Sequence, residues 1–320
     1  MTVFITGGSG FVGLNLIAEL LARGERVVSF SLTPPPERAM ASFQDLPGDL
    51  QHVDGDVCDA KAIDDALAQS AARRVIHAAV ITAGPERELR APAAIVSTNV
   101  QGTVNVLDAA RRRGVERFIY LSSASVYGAN AESADALSEE HTAPLPQSLY
   151  AVTKYAAEGI ARRYGTVFEM QVVAARLSAV FGRWEHDTGL RDTLSPPFLL
   201  AAMAQAGEGA VLADDGYRDW IYGPDAAAGI VALLDAAALG HDVYNVGTGR
   251  TWSLRQWCEK LAARYPSFSY RLGTRSDQGQ FIDPGRRSPL SVERILHDTT
   301  YTPRFGIEES FEDYLAWLQG

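Results

Sequence analysis

An α/β fold built on a doubly wound, parallel sheet is predicted for this chain by three observations. Short β-branched runs alternate with helical stretches through the first half. Those runs are apolar without interruption, as strands covered on both faces must be. A glycine-rich turn, TGGSGFVG at residues 6–13, joins the first run to the first helix.

Taken in order, residues 3–6 read as a strand, 11–23 as a helix and 26–31 as the next strand. A helix over 62–72 leads to a strand at 74–79. A helix over 100–113 stops before Gly114, and 117–122 is a further strand. Helix 150–164 and strand 169–176 return the chain to the same sheet. Beyond residue 181 glycine, proline and charge break the rhythm, and helices are expected at 197–206, 224–238 and 253–265, with a strand at 243–246. Terminal helices are expected at 291–296 and 307–318, the latter with an apolar stripe of Ile307, Phe311, Tyr314, Leu315 and Leu318.

Composition narrows the partners. The chain has 320 residues, 47% of them hydrophobic, enough for one large domain or two with a sizeable core. Its 29 Lys and Arg stand against 39 Asp and Glu, a net charge of -10, which argues against gripping nucleic acid or an anionic membrane and points to a small-molecule partner. The two cysteines, Cys58 and Cys258, lack the CxxC spacing of a metal or redox site, so no metal is expected and both read as thiols of a reducing compartment. No run approaches the roughly 20 apolar residues of a membrane span, and the N-terminus enters a strand without a signal-peptide pattern. A soluble, cytoplasmic protein is expected.

Three local patterns carry chemistry. In the first, Gly7 makes the tight turn after the strand, Gly10 admits a pyrophosphate and Gly13 permits close helix packing, with the helix N-terminus, Phe11 and Val12 facing the anion. The expected organisation is therefore a Rossmann-type dinucleotide-binding domain over 1–180 and a smaller, mainly C-terminal substrate-binding region over 181–320, with 215–250 returning in part to the first. Asp56, beside Val57, is expected to accept a hydrogen bond from an adenine amino group; its competing role is a helix cap, open equally to Asp59. Ser31 occupies the position where an acid would hold the adenosine 2'-hydroxyl, and Arg38 is the cation available to a 2'-phosphate. Either NAD or NADP remains open as cofactor.

The second pattern is Tyr150-Ala-Val-Thr-Lys154, whose i,i+4 spacing sets a phenol and an ammonium on one helix face. The ammonium is expected to favour the phenolate and so make Tyr150 a base. The third is YLSSASVYG at 120–128, placed after a parallel strand, where α/β sheets bind ligands. Ser123 is expected to donate to a substrate oxygen. Ser125 is a second candidate there, although it and Ser122 also suit local turn hydrogen bonds.

These motifs, with GDVCD at 55–59, HAA at 77–79, NVQGT at 99–103, RDWI at 218–221 and NVGTG at 245–249, make the chain resemble the extended short-chain dehydrogenase/reductase superfamily over nearly its whole length. That group includes nucleotide-sugar epimerases, dehydratases and sugar dehydrogenases. The resemblance implies catalytic Ser123 and Tyr150, Lys154 on the nicotinamide ribose, Asn99 near the cofactor, Ala78 and Ala79 lining its cleft, and a homodimer. Where nucleotide-sugar members commonly carry an asparagine after the sixth strand, ARLSAVFG has Ser178; where dehydratases carry Asp-Glu after the catalytic hydroxyl, this chain has Ala124 and Ser125. Dehydration is therefore demoted. The leading expectation is oxidation of a hydroxyl on a small sugar-derived substrate, with a nucleotide-sugar epimerase that retains NAD, and a non-catalytic dinucleotide-binding protein, as alternatives. Arg218 is an anion-binding candidate, as are Arg275, Arg286 and Arg287, of which at least two are expected to be solvated. The run WEHDTGLRDTLSP at 184–196 is expected to form a substrate loop, with His186 or Arg191 reading polar groups.

Overall fold

The computed structural model describes residues 1–275 and 280–319. The first half alternates strands β1 (Thr2–Thr6), β2 (Arg26–Ser31), β3 (Asp49–Asp54), β4 (Arg74–His77), β5 (Arg117–Ser123) and β6 (Gln171–Leu177) with helices α1 (Phe11–Ala22), α2 (Glu37–Phe43), α3 (Ala60–Ser70), α4 (Pro85–Arg90), α5 (Pro92–Val96), α6 (Gly102–Arg112) and α7 (Leu149–Phe168). A short π-helical turn, Ser97–Gln101, leads into α6. The second half holds β7 (Ala179–Phe181), α8 (Pro196–Ala206), β8 (Gly209–Leu212), β9 (Trp220–Tyr222), α9 (Gly223–Asp235), β10 (Val243–Val246), α10 (Leu254–Arg264), β11 (Ser269–Leu272), β12 (Gln280–Ile282), α11 (Glu293–Asp298) and α12 (Ile307–Gln319).

Seven parallel strands form the main sheet in the order β10-β6-β5-β4-β1-β2-β3. The alternation of side chains along each strand loads both faces. Val3, Ile5, Ile76, Ile119 and Val173 pack with α1 and α9, while Phe4, Val28, Val75, Phe118 and Val172 pack with α3, α6 and α7. The strand order reverses between β1 and β4, which opens a crevice beyond their carboxyl ends. β10 joins this sheet from the second half, beside β6.

The remaining strands build two small sheets, β11-β8-β12 and β7-β9. An aromatic core supports them: Trp252 stacks on Trp257 at 5.4 Å, and Phe181 meets both rings edge-on. Three departures from the sequence pattern have physical reasons. The helix α7 continues through Gly165 to Phe168, where Glu169 closes it in the left-handed conformation at φ 55°. The strand β3 is an edge strand with its side chains half-exposed or exposed, so it lacks the apolar run that marks its neighbours. Helices α4 and α5 each begin with proline at the first turn and span only 6 and 5 residues, too short for a periodic signal.

Candidate functional site

A single cavity of about 1000 Å³ runs from the glycine turn to the β7-β9 region, and nearly every element of the sheet's carboxyl edge contributes to it. At its floor the turn is built for a close approach. Gly7 adopts φ 70°, and a Cβ there would stand 2.6 Å from the backbone nitrogen of Ala79 across the crevice. A Cβ on Gly13 would stand 2.3 Å from the Gly7 carbonyl oxygen. With Gly10 capping α1 and Phe11 and Val12 on the wall, the turn fits a dinucleotide pyrophosphate over a helix N-terminus.

The end of the cavity beyond β2 and β3 is lined by Ser31, Thr33, Asp56 and Val57. Ser9 ties this corner together, its amide donating to Ser31 Oγ (3.1 Å) and its hydroxyl to the Thr33 carbonyl (2.6 Å). Asp59 caps α3 by accepting from the amides of Lys61 (2.9 Å) and Ala62 (3.0 Å), which leaves Asp56 on the cavity wall, where it also accepts from the Cys58 amide (2.9 Å). Arg38 is committed elsewhere: its guanidinium lies 4.1 Å over the Trp317 ring and donates to that residue's carbonyl.

Toward the other end stand Ser123, Tyr150 and Lys154, all on the cavity wall. Ser123 closes β5, and its Oγ accepts from the Ser125 amide (3.1 Å) and the Ser125 hydroxyl (3.0 Å). Both lone pairs are thus occupied, so the Ser123 proton is the part left to offer. Ser125 does not line the cavity; it positions Ser123. Burial raises the Tyr150 phenol above its ordinary pKa, against the hydroxyl of Ser123, the guanidiniums of Arg191 and Arg287 and the hydroxyl of Thr82, which lower it. Arg191 and Arg287 thus favour the phenolate, a contribution from distant segments that the spacing of Tyr150 and Lys154 did not show. Burial pulls the Lys154 amine down to about 7, with Glu158 opposing, and its Nζ donates to the Leu121 carbonyl 4.7 Å above the Tyr120 ring.

Asn99 does not line the cavity either. Its side chain accepts from the Ile81 amide (2.8 Å) and donates to the Ile81 carbonyl (3.1 Å) and to Thr153 Oγ1 (3.0 Å), while Thr153 donates to the Tyr150 carbonyl (2.8 Å). The π-helical turn presents this amide, and it fixes the exit of β4 to the helix that carries Tyr150. Ala78 and Ala79 line the crevice beside it.

The substrate side takes its cations from distant segments. Arg218 lines the cavity, donates from Nε to the Gly285 carbonyl (3.0 Å), and is pulled down to about 10 by burial and by the charge of Arg287. Next to it, Asp219 turns inward and accepts from the Thr248 amide (2.9 Å) and hydroxyl (2.8 Å) and the amides of Gly249 (3.2 Å) and Leu290 (3.2 Å). That carboxylate locks the NVGTG loop behind Arg218. Ser178 is on the wall, with its hydroxyl donating to the Asp219 carbonyl. Arg287 is on the wall too, while Arg275 is not; it is exposed and lies 5.1 Å over the Phe281 ring.

Residues 188–196 form a strap along the cavity. The Thr82 amide donates to the Leu190 carbonyl (2.9 Å) and the Asp192 amide donates to the Thr82 carbonyl (3.0 Å), so the strap is joined to the exit of β4 in parallel register. Arg87 Nη2 donates to Asp192 (2.6 Å) and to the Gly189 carbonyl (2.6 Å), which fastens it to α4. Arg191 points along the wall, 5.1 Å over the Phe11 ring and 3.0 Å from Glu185. His186 lies outside the wall, its Nδ1 2.8 Å from the Trp184 carbonyl oxygen. Thr82, Arg87, Glu185 and Asp192 carry no motif, and only the odd composition of 184–196 marked the strap in the sequence. Among the described residues no group of three or more His, Cys, Asp or Glu is arranged to hold a metal ion, and no helix is long and apolar enough to cross a membrane.

The switch-point crevice, the glycine turn and the enclosed wall define a dinucleotide-binding enzyme of the Rossmann type. Residues 3–247 match the NAD dependent epimerase/dehydratase family, and the chain belongs to that family. It is 31% identical to the low-salt glycan biosynthesis protein Agl12 of Haloferax volcanii, over 98% of this chain and 96% of that one. It is 28% identical to a UDP-glucose 4-epimerase of Erwinia amylovora, over 99% and 97%. Among solved structures it is similar to MoeE5, seen with NAD and either UDP-glucose or UDP-glucuronic acid: 25% identity, TM-scores of 0.78 and 0.79, and coverage of 100% and 99%.

Proposed function

We propose that the protein is a nucleotide-sugar epimerase that keeps NAD bound through its cycle. The observation that carries this reading is the continuity of the cavity, which brings the glycine turn, the Ser123, Tyr150 and Lys154 set, and Arg218 with Arg287 onto one wall. A dinucleotide and a second phosphorylated ligand can lie end to end in that space. The nucleotide-sugar ligands and activities of the relatives support the same substrate class. They favour it over oxidation of a free sugar, which rested on Ser178 replacing an asparagine.

NAD, when bound, supplies the hydride acceptor. Tyr150 takes the proton of the sugar hydroxyl and returns it, Ser123 donates to the same oxygen as it becomes a carbonyl, and Lys154 holds the nicotinamide ribose. Epimerisation requires the ketosugar to stay in the site until the hydroxyl is restored with opposite configuration. The strap, fastened at Thr82 and Arg87, supports that retention. No carboxylate follows Ser123, which leaves dehydration without its acid.

NAD is favoured over NADP, because Arg38 is occupied by Trp317 and the ribose corner offers hydroxyls instead of cations. A homodimer through α7 is supported by exposed Val152, Tyr155, Val167 and Phe168 on that helix. The free thiols Cys58 and Cys258 suit a reducing, cytoplasmic setting. The deciding experiment incubates the protein with NAD and, in separate samples, UDP-glucose or UDP-glucuronic acid, and follows both absorbance at 340 nm and sugar configuration by proton NMR. Formation of the epimer without net absorbance is expected. A lasting rise in absorbance with a released keto or acid product would replace the epimerase by a dehydrogenase.

A further inference from the structure

The phenol end of the cavity is more cationic than a neutral sugar requires. Arg191 and Arg287 both line it, and each has a buried Nε without a hydrogen-bond partner. Arg191 is balanced on one side by Glu185, whose oxygens are also taken by the Ser195 amide (2.6 Å) and hydroxyl (2.6 Å). Arg287 makes no hydrogen bond or ion pair among the described residues. The acids nearby are otherwise engaged: Asp192 is held by Arg87, and Asp283 lies toward Arg218.

Register places Arg191 beside the reacting group. It sits between Leu190 and Asp192, the two residues whose backbones bond Thr82. The Thr82 hydroxyl reaches Tyr150, and Arg191 and Arg287 both act electrostatically on that phenol, whereas Arg218 acts with Arg287 farther along the wall. Arg287 therefore links Arg218 to the phenol in one row of cations, with Arg191 also at the phenol end. A diphosphate placed at Arg218 leaves the phenol end of the row unmatched. Burying a guanidinium without a counter-charge is costly, and a ligand anion removes that cost.

We infer that Arg191 and Arg287 form a carboxylate-reading wall beside Tyr150, so that the sugar turned over is a uronic acid and not its hydroxymethyl counterpart. The planar fork of a guanidinium suits a carboxylate in two parallel hydrogen bonds. This inference rests on the nucleotide-sugar reading above, and its test separates the two.

Binding to the NAD-loaded protein is measured by calorimetry for UDP-glucuronic acid, UDP-glucose, free glucuronate and free glucose. The same set is run on R287Q and R191Q, with NAD affinity recorded for each. The acid is expected to bind about tenfold more tightly than the alcohol, an advantage of roughly 1.4 kcal/mol. That advantage should fall below about twofold in R287Q and R191Q, with NAD affinity little changed. No preference for the acid in either pair overturns the inference. A preference that survives both substitutions, or R191Q losing NAD affinity while keeping the preference, overturns it as well. If the nucleotide adds nothing to the affinity of glucuronate, the nucleotide-sugar reading fails, and the free pair still decides whether the wall reads a carboxylate.

Discussion

Lys154 offers the sharpest quantitative test, because its state in the ligand-free protein is tied to its burial. Its amine is pulled from an ordinary 10.5 to about 7 by desolvation. In the unfolded chain the same amine keeps its ordinary value, so between those two limits the unfolded state binds a proton that the folded state does not. Stability must then rise with pH across that window: the cost of burying a charged amine is fully present below about pH 7 and is relieved as pH climbs toward 10.5. One proton is worth about 1.4 kcal/mol per pH unit at full separation. In Lys154→Met the side chain has similar length and no proton to lose. Urea unfolding of both proteins at intervals from about pH 7.5 to 9.5 should show the wild type gaining roughly 2 to 3 kcal/mol relative to the variant. Taking the difference between the two curves removes every other titrating group. Parallel curves would mean that the folded amine keeps its ordinary pKa, and the account of Lys154 as a desolvated group would be wrong.

Tyr150→Phe keeps the ring and removes the proton carrier, so turnover should fall by about 10² to 10⁴ while NAD binding, followed by fluorescence quenching, stays nearly intact. Gly13→Ala places a Cβ 2.3 Å from the Gly7 carbonyl oxygen and 2.6 Å from that of Gly8, so the turn must shift; NAD affinity should drop at least tenfold in a protein that still folds, and unchanged affinity would reject the turn as the pyrophosphate cradle. Glu158→Gln leaves Arg176 buried without the carboxylate it meets at 2.6 Å, a loss of about 3 to 5 kcal/mol in denaturant unfolding. The pair Glu158→Gln with Arg176→Met should recover much of that stability, which a purely local packing defect at Glu158 would not.

The parts of this molecule written in local pattern were legible before any coordinates. Strand alternation in β1, β4, β5 and β6, the TGGSGFVG turn and the YAVTK face each depend on residues within one or two turns of each other. What stayed hidden depends on chain separation. Arg287 acts on Tyr150 from 137 positions away, and Asp192 bonds Thr82 across 110, neither of which leaves a periodic trace (287 minus 150; 192 minus 82). Asn99 is a subtler case: the resemblance implied a place near the cofactor, and its side chain spends three hydrogen bonds on Ile81 and Thr153 behind the cavity wall. Ser125, His186 and Arg275 carry the right chemical types but stand off the cavity wall, held by Ser123, the Trp184 carbonyl and the Phe281 ring. Arg38 is the converse case, since the ring it stacks on lies 279 positions away.

Thr82 joins two equilibria in one residue. Its amide and carbonyl hold the strap, and its hydroxyl helps to lower the pKa of the Tyr150 phenol. Coupling free energies are reciprocal: whatever factor strap seating contributes to the phenol's proton affinity, protonation of the phenol contributes to strap seating. Ligand capture and proton inventory therefore cannot be set independently in this protein. Titrating a nucleotide sugar into the NAD-loaded enzyme in buffers of different ionisation enthalpy should reveal a fractional proton exchanged on binding, and Thr82→Val should diminish it.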